Sequence, residues 1–346
     1  MPPSPISTLL IEDSGLMRII LSDVLRSDPA IELLATAANG REGLEKARQL
    51  RPDVIVTDMM MPELDGLGVV RAVMQERPTP VIVLSSLQKE SPLVFEALAA
   101  GAFDFLSKEQ VVNDGNRQAE PLIDLVKAAA QAQAVNLPRR AAPTDHQKRH
   151  FSTELPYHVI AVGASTGGPA AIEALLNGLP ANFPIPILIA QHMPEHFIPA
   201  FAHRLNERYP FRVKLAERGE RLQQSTVYIM PGHTNTTVVR KADAEYPVFR
   251  FTSKKFAAFN QPSIDGLFSS LPLAFGNKTI GVVLTGMGRD GTLGLQTIRQ
   301  QGGHTVGQSA SSCVVFGMPK QADEAGAVCQ VLPLNEISDH LIRCLS

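Results

Sequence analysis

A serine lies where an apolar run ends, in the segment Gly163-Ala164-Ser165-Thr166-Gly167-Gly168. The preceding residues, HVIAVG, predict a buried strand, and the following residues, PAAIEALL, predict a helix that begins near Pro169. A turn of this kind fits two chemistries: it could cradle a nucleotide phosphate, or it could expose a serine hydroxyl for nucleophilic attack.

The nucleotide alternative fits the neighbouring sequence poorly. A dinucleotide-binding turn reads G-x-G-x-x-G and is followed about 20 residues later by an acid that binds the ribose. Here Ser165 replaces the middle glycine, and the next predicted strand ends in Gln191-His192 rather than in an acid. The pattern G-x-S-x-G favours an exposed nucleophile, with the Thr166 N–H as a candidate donor to an oxyanion.

A serine nucleophile also needs a base and an acid that orients the base. His192 follows the apolar run PIPILIA, and Asp290 follows the apolar run IGVVL within LTGMGRDG. Because the carboxyl ends of parallel strands meet at one edge of a sheet, Ser165, His192 and Asp290 are predicted to share a crevice. Each residue alone is as well explained as a cap, a turn or a core residue, but their convergence favours a catalytic triad. The order Ser, His, Asp differs from that of α/β-hydrolases, which disfavours that fold.

A second set of polar residues follows the strands predicted in the N-terminal part of the chain. Its members, in strand order, are Glu12 with Asp13, then Asp58, Ser85 and Lys108. At the carboxyl edge of a parallel sheet these groups would meet. Carboxylate oxygens suit Mg²⁺, and a lysine and a hydroxyl suit a phosphoryl group carried by Asp58.

The elements that would position both sets alternate between strands and helices. From Ile6 to about Lys127, five short apolar runs are separated by helical patterns, which indicates a doubly wound parallel α/β domain at residues 1–127. Residues 128–153 lose this rhythm and are predicted to be an interdomain linker. A second doubly wound α/β domain is predicted at 154–346, with a small antiparallel hairpin near 226–253.

The composition excludes several classes of protein. The chain has 346 residues, of which 44% are hydrophobic and 19% charged, and its formal net charge of −2 disfavours a nucleic-acid partner. No apolar run is long enough to span a membrane, so membrane insertion is not expected. Three cysteines without C-x-x-C spacing disfavour both a disulfide framework and a thiolate zinc site, and they predict a cytoplasmic location.

The segment Asp58-Met-Met-Met-Pro-Glu-Leu-Asp-Gly66 resembles the phospho-acceptor region of response-regulator receiver domains, and the resemblance spans roughly residues 5–127. It implies a flavodoxin-like receiver in which Asp58 accepts the phosphoryl group. It further implies that Glu12 and Asp13 bind Mg²⁺ together with Asp58, and that Ser85 and Lys108 are the switch residues. Receiver domains usually have a proline after this lysine, whereas this chain has Glu109.

The segments GASTGGP, AQHMP, PSIDGLF, LTGMGRDG and CVVFGMPK, in this order behind a receiver, resemble the CheB family of chemotaxis methylesterases. The resemblance implies that Ser165 is the nucleophile, His192 the general base and Asp290 its orienting partner, with no cofactor for the esterase chemistry. It also implies a phosphorylation-regulated hydrolysis of γ-glutamyl methyl esters on methyl-accepting chemoreceptors, with glutamine deamidation as a related activity.

The same resemblance implies two partners, the methylated receptors and a histidine kinase of the CheA type. Two other classes remain as alternatives. A non-catalytic adaptor that binds receptors is disfavoured by the complete set of serine, histidine and aspartate. A nucleotide-binding oxidoreductase is disfavoured by Ser165 and by the missing ribose-binding acid.

Overall fold

The computed structural model describes residues 4–86, 91–113, 116–117, 119–132, 146–240, 246–256 and 261–346. The chain forms two compact units, Met1–Arg140 and Ala141–Ser346. The segment predicted as a linker, 128–153, lies partly outside the described residues, and its first residues belong to a helix that ends at Gln131. No helix among the described residues is long and apolar enough to cross a membrane.

The first unit is built on a five-stranded sheet. Its strands are β1 (Ile6–Ile11), β2 (Ile31–Ala37), β3 (Val54–Asp58), β4 (Val81–Ser85) and β5 (Asp104–Ser107), and a two-residue pair follows, β6 (Val112–Asn113) and β7 (Asn116–Arg117). Its helices are α1 (Gly15–Arg26), α2 (Gly40–Leu50), α3 (Gly66–Glu76), α4 (Ser91–Ala100), α5 (Lys108–Val111) and α6 (Glu120–Gln131). The five strands are parallel in the order β2-β1-β3-β4-β5.

This order reverses direction between β1 and β3, and ligands of such sheets bind outside the carboxyl ends of the strands at that point. Both β3 and β4 are buried along their whole length, which explains why VIVTD and VIVLS read as continuous apolar runs. The polar groups at their ends, Asp58 and Ser85, are therefore delivered to the edge of the sheet.

The second unit is built on a seven-stranded sheet and a separate strand pair. Its strands are β8 (Val159–Ala164), β9 (Ile187–Gln191), β10 (Arg212–Leu215), β11 (Thr226–Ile229), β12 (Asn235–Val239), β13 (Val248–Thr252), β14 (Thr279–Val283), β15 (His304–Gln308) and β16 (Gln330–Leu332). Its helices are α7 (Gly168–Asn177), α8 (Ile198–Arg208), α9 (Ile264–Phe275), α10 (Thr292–Gln300), α11 (Met318–Glu324) and α12 (Leu334–Arg343). The large sheet is parallel throughout, in the order β10-β11-β9-β8-β14-β15-β16.

The structure confirms the predicted fold class, two parallel α/β domains with a small antiparallel pair. The antiparallel pair, β12 with β13, is shorter than the segment 226–253, because Thr226–Ile229 pairs in parallel with β9 and β10 in the large sheet. The edge strand β10 was not predicted, since charged residues interrupt its apolar pattern.

Helix α9 packs against both the strand pair and α10. The Ser263 hydroxyl caps the helix by accepting from the Gly266 N–H at 3.1 Å, and the Ser270 hydroxyl accepts from the Val238 N–H of β12 at 2.9 Å. Leu267 and Phe268 of the same helix are fully buried. This packing fixes the N-terminus of α9 at the edge of the sheet where Asp290 lies.

Candidate functional sites

The candidate triad residues follow three adjacent strands, because β9, β8 and β14 are neighbours in the sheet. Ser165 comes directly after β8, His192 directly after β9, and Asp290 lies in the loop between β14 and α10. The His192 N–H donates to the Ala164 carbonyl at 3.0 Å, and this bond aligns the ends of β8 and β9. The structure thus brings the three residues to one edge of one sheet.

His192 and Asp290 are in direct contact. The Nε2 atom of His192 lies 2.9 Å from Oδ2 of Asp290, whose side chain is fully buried, while the histidine side chain remains 14% exposed. If Nε2 carries the proton that it donates to the carboxylate, the ring nitrogen left with a lone pair is Nδ1. In that tautomer the contact orients the imidazole and leaves Nδ1 able to accept a proton.

Both carboxylate oxygens of Asp290 are fully occupied. Besides His192, Oδ2 accepts from the Ile264 N–H at 2.9 Å, and Oδ1 accepts from the N–H groups of Asp265 at 2.9 Å and Gly291 at 3.0 Å. Burial alone would raise the pKa of Asp290, but the His192 hydrogen bond and the α9 backbone donors lower it below its usual value. Asp290 is thus held ionised, with no oxygen left for another ligand.

The turn that carries Ser165 depends on two glycines. Gly167 has φ +74°, a conformation that L side chains rarely adopt, and a Cβ at Gly286 would lie 2.7 Å from the Ser165 Cβ. The Ser165 N–H donates to the Thr285 carbonyl at 3.1 Å, and the Thr285 hydroxyl donates to the Thr166 carbonyl at 3.0 Å. Thr285, two residues after the end of β14, therefore holds the turn through two hydrogen bonds, and the glycines allow the close approach that these bonds need.

The two groups of this turn that are predicted to react have no hydrogen-bond partner within the part of the chain that the structure describes. There, the Ser165 hydroxyl and the Thr166 N–H make no hydrogen bond, and Ser165 is half-buried. No hydrogen bond joins Ser165 directly to His192 among these residues; such contacts are often long before substrate binds. A free hydroxyl beside a free amide donor is what attack on a carbonyl carbon requires.

Gln191 is a residue that sequence reasoning passed over. Its buried Nε2 donates to the Ser165 carbonyl at 2.9 Å and to the His192 carbonyl at 2.8 Å, so one side-chain amide connects the backbone of both residues. In the sequence, Gln191 was noted only because it stands where a ribose-binding acid would be expected. The available signal was its position at the end of a predicted strand, directly before the candidate histidine.

Asp265 is a second residue without a predicted role. It is buried beside Asp290, and its Oδ1 accepts from the Gly294 N–H at 2.8 Å. Burial, with the nearby Asp290 charge, raises the pKa of Asp265 from 3.8 to about 6, although backbone donors oppose the rise. The two neighbouring aspartates are therefore shifted in opposite directions, because the hydrogen bond and the charge of His192 lower the pKa of Asp290, whereas burial dominates at Asp265.

The second candidate site lies in the first unit, where the structure brings four of the five predicted groups together. Lys108 Nζ donates to Glu12 Oε1 at 3.1 Å and lies 2.8 Å from Glu12 Oε2 and 2.9 Å from Asp58 Oδ1. Oxygen atoms of Glu12, Asp13 and Asp58 all lie within 4.8 Å of one another. Ser85 ends the neighbouring strand β4 and is buried there.

One carboxylate of this site has a spare oxygen atom. Asp58 uses only Oδ1, which also accepts from the Met59 N–H at 2.8 Å, and its Oδ2 has no partner among the described residues. Both Glu12 oxygens lie close to Lys108 Nζ. Burial raises the pKa of both Glu12 and Asp58, more than Lys108 lowers it. Three carboxylates this close together fit a hard divalent cation such as Mg²⁺.

Glu109, which stands where receivers usually have proline, belongs to the short helix α5. Its N–H donates to the Ser107 hydroxyl at 3.3 Å, a bond that proline could not make, and Gln110 Oε1 accepts from the Ser107 N–H at 3.0 Å. The capped helix begins at Lys108, so the cap fixes the backbone that carries the lysine.

Comparison with known proteins gives the same two-part division. Residues 8–116 match the family model described as response regulator receiver domain, and residues 160–341 match that described as CheB methylesterase. A protein-glutamate methylesterase/protein-glutamine glutaminase of Carboxydothermus hydrogenoformans is 39% identical over 98% of this chain and 99% of its own length. One of Desulfitobacterium hafniense is 35% identical over 99% of this chain and 98% of its own.

A solved structure is similar to the second part of the chain. The crystal structure of the Thermotoga maritima CheB methylesterase catalytic domain is 35% identical, with a TM-score of 0.52, and the match covers 54% of this chain and 98% of that one. Receiver domains are of a kind that binds Mg²⁺ for phosphorylation, which agrees with the oxygen cluster of the first unit. The chain therefore belongs to the CheB methylesterase family, in the form that carries a receiver domain ahead of the methylesterase domain.

Proposed function

We propose that this protein is a serine esterase that hydrolyses γ-glutamyl methyl esters of methyl-accepting chemoreceptors, leaving glutamate and releasing methanol. The observation that carries the proposal is the 2.9 Å contact between His192 and Asp290, next to the unbonded hydroxyl of Ser165. The full-length relatives named protein-glutamate methylesterase support the choice of substrate.

In the proposed reaction, Ser165 Oγ attacks the ester carbonyl carbon while its proton passes to Nδ1 of His192. The Thr166 N–H stabilises the negative charge that develops on the carbonyl oxygen. The imidazolium then protonates the departing methoxide, and an acyl-Ser165 ester remains. Water attacks this ester, gives a proton to His192, and the proton returns to Ser165 as glutamate leaves.

Asp290 supports both steps without bonding to the substrate. It holds the imidazole in one orientation and stabilises its charged form, while the His192 contact and the N–H groups of Asp265 and Ile264 keep its carboxylate ionised. The same sequence of steps deamidates glutamine if ammonia departs in place of methanol. The relatives' second name, protein-glutamine glutaminase, supports this related activity.

We propose further that phosphorylation of Asp58 by a histidine kinase of the CheA type regulates the esterase. Asp58 Oδ2 is the oxygen left to accept the phosphoryl group, and Glu12, Asp13 and Asp58 would hold Mg²⁺. The ion would neutralise charge on the phosphoryl oxygens. The Lys108 ammonium, 2.9 Å from Asp58 Oδ1, would neutralise charge on the same oxygens. Ser85 is the proposed switch residue, whose hydroxyl would bond to the phosphoryl group.

The proposed arrangement along the chain has the receiver at 1–127, a linker at 128–153 and the esterase at 154–346. The family models, at 8–116 and 160–341, fall inside the two proposed domains. We place the protein in the cytoplasm, because its proposed phosphodonor is a kinase that uses intracellular ATP.

Methanol release from receptor carrying labelled methyl esters tests the esterase proposal. The full chain is compared with Ser165→Ala and with Ser225→Ala, which removes the hydroxyl of an exposed serine at the amino end of β11, the opposite edge of the sheet. We expect Ser165→Ala to lose activity by a factor on the order of 10³ or more and Ser225→Ala to keep it.

The same assay separates the alternatives. A non-catalytic adaptor would release no methanol from any of the three chains and would still bind receptor. Methanol release that survives in Ser165→Ala would show that another group is the nucleophile.

A further inference from the structure

Two histidines and a cysteine converge at a place that the esterase reaction does not use. His304 is the first residue of β15, His340 lies on the last turn of α12, and Cys344 is the C-cap of that helix. His340 Nε2 lies 2.8 Å from His304 Nε2 and 3.6 Å from Cys344 Sγ. All three donor atoms lie within 4.8 Å of one another, and all three residues are half-buried.

These donors are the type and the geometry that zinc prefers. A tetrahedral zinc ion holds nitrogen at about 2.0 Å and sulfur at about 2.3 Å, so its ligand atoms lie roughly 3.3 Å (N···N) and roughly 3.5 Å (N···S) apart. The observed separations of 2.8 and 3.6 Å differ from these by about half an ångström or less. Small ring movements would therefore admit the ion.

The contact between the two imidazoles also suits a metal. A neutral imidazole offers one ring nitrogen with a lone pair, and a thiol that loses its proton to solvent can coordinate as thiolate. In their present contact one imidazole donates to the other, a bond that a shared metal ion replaces.

We propose that His304, His340 and Cys344 bind one zinc ion. On binding, both Nε2 atoms coordinate, so the imidazole that carried its proton on Nε2 holds it on Nδ1 instead. The Cys344 thiol gives its proton to solvent and coordinates as thiolate, and one proton is released per ion. Water occupies the fourth position.

The site lies away from the proposed triad. His304 starts β15, whereas Ser165 follows the carboxyl end of β8, and the two strands run parallel in one sheet. The zinc site is therefore at the opposite edge from the esterase crevice. Its effect is to tie the C-terminal helix α12 to β15.

The ligands come from two elements 36 residues apart in sequence. For this reason the absence of C-x-x-C spacing, which disfavours a local thiolate zinc site, does not detect them. The remaining thiol nearby provides a matched control. Cys329 is exposed, its Sγ accepts from the Thr305 hydroxyl at 3.2 Å, and it does not belong to the cluster formed by His304, His340 and Cys344.

Cobalt titration of the full chain tests the proposal, because Co²⁺ takes the place of zinc and reports thiolate ligands by absorption. The chain is free of affinity tags, its thiols are reduced, and excess Mg²⁺ occupies the receiver carboxylates. We expect one equivalent of Co²⁺ to produce tetrahedral d–d bands and a thiolate-to-cobalt charge-transfer band, both displaced by zinc. Zinc should also raise the melting temperature.

Two variants make the result specific. Cys344→Ser should lose the charge-transfer band and the zinc-dependent rise in melting temperature, while Cys329→Ser should keep both. Circular dichroism and methanol release show whether each variant is folded. A wild-type chain without the thiolate band, a band that persists in Cys344→Ser, or a band that disappears in Cys329→Ser would each overturn the proposal.

Discussion

Asp58 and Asp290 lie at the carboxyl edges of two different parallel sheets, and they differ in the donors that surround them. Both are buried, with 4% and 1% of their surface exposed. Asp58 has one backbone donor and the Lys108 ammonium, both at Oδ1, and leaves Oδ2 unbonded among the described residues. Asp290 has three backbone donors and the His192 ring, spread over both oxygens.

This difference explains the direction of each pKa shift. Burial raises the pKa of Asp58, while hydrogen bonds to Asp290 outweigh burial and lower the pKa there. An aspartate with a spare oxygen can bind a metal or accept a phosphoryl group, and one with none can only orient its neighbour. The number of donors around each carboxylate, rather than its position in the fold, separates the two proposed roles.

Truncation of the two aspartates should have opposite effects on stability. Asp290→Ala leaves the buried N–H groups of Ile264, Asp265 and Gly291 without their acceptor, and we expect a loss of about 3–5 kcal/mol. Asp58→Ala removes a carboxylate whose charged form burial disfavours, and the Met59 N–H keeps its bond to the Leu84 carbonyl at 2.9 Å. We expect this variant to be as stable as the wild type or more so.

Hydrogen exchange of the full chain, followed by mass spectrometry, reports each unit separately. Faster exchange in α9 and α10 of Asp290→Ala, with unchanged exchange around β3 in Asp58→Ala, is the expected pattern. Equal destabilisation by both changes would mean that the donor count does not distinguish the sites.

Removal of the Gln191 amide should lower the esterase rate moderately. Gln191→Leu keeps the side-chain volume but loses both donors, so the Ser165 and His192 backbones are no longer held to each other. If the two lost hydrogen bonds raise the activation free energy by about 1.4 kcal/mol, kcat falls about tenfold.

Gln296→Leu is the matched control for this prediction. Gln296 also donates from Nε2 to a carbonyl, that of Ala325 at 3.0 Å, but it is remote from Ser165 along α10. Its kcat should not change. A Gln191→Leu enzyme with wild-type kcat would show that the amide does not position the two residues.

The smallest expected effect concerns Asp265 and pH. Because the pKa of Asp265 is about 6 in the folded chain and 3.8 ordinarily, the folded state binds more protons between these values. Its contribution to stability is therefore largest below about pH 4 and declines as the pH rises through about 6.

Asp265→Asn keeps an acceptor for the Gly294 N–H and removes the titration. Urea unfolding should show that the variant gains stability relative to the wild type as the pH is raised from about 4 to about 7. A difference between the two proteins that is the same at both pH values would contradict the raised pKa.

The sequence predicted the position of each side chain that lies at the end of an apolar strand. The apolar runs before Asp58, Ser165 and His192 locate strands, and parallel pairing then puts their ends at one edge. The donors to Asp290 could not be found this way. Ile264 and Asp265 precede Asp290 by about 25 residues, and only the packing of α9 brings its first N–H groups to the carboxylate.

Other gaps have similar causes. The edge strand β10 has charged residues in its apolar pattern, so its periodicity is weak. Gln191 acts on two backbone carbonyl groups, and because every residue has a carbonyl, the sequence does not indicate which ones a side chain contacts. His304 and His340 meet because β15 and α12 are neighbours, a contact that no local spacing records.

The different tasks of the two aspartates are tested most directly by one measurement, methanol release from labelled receptor with and without a small-molecule phosphodonor. Asp290→Asn should be slower than wild type by a factor on the order of 10⁴ in both conditions, because His192 loses its charged partner. Asp58→Asn should release methanol but show no response to the phosphodonor. An active Asp290→Asn chain, or an Asp58→Asn chain that the phosphodonor still stimulates, would contradict the account.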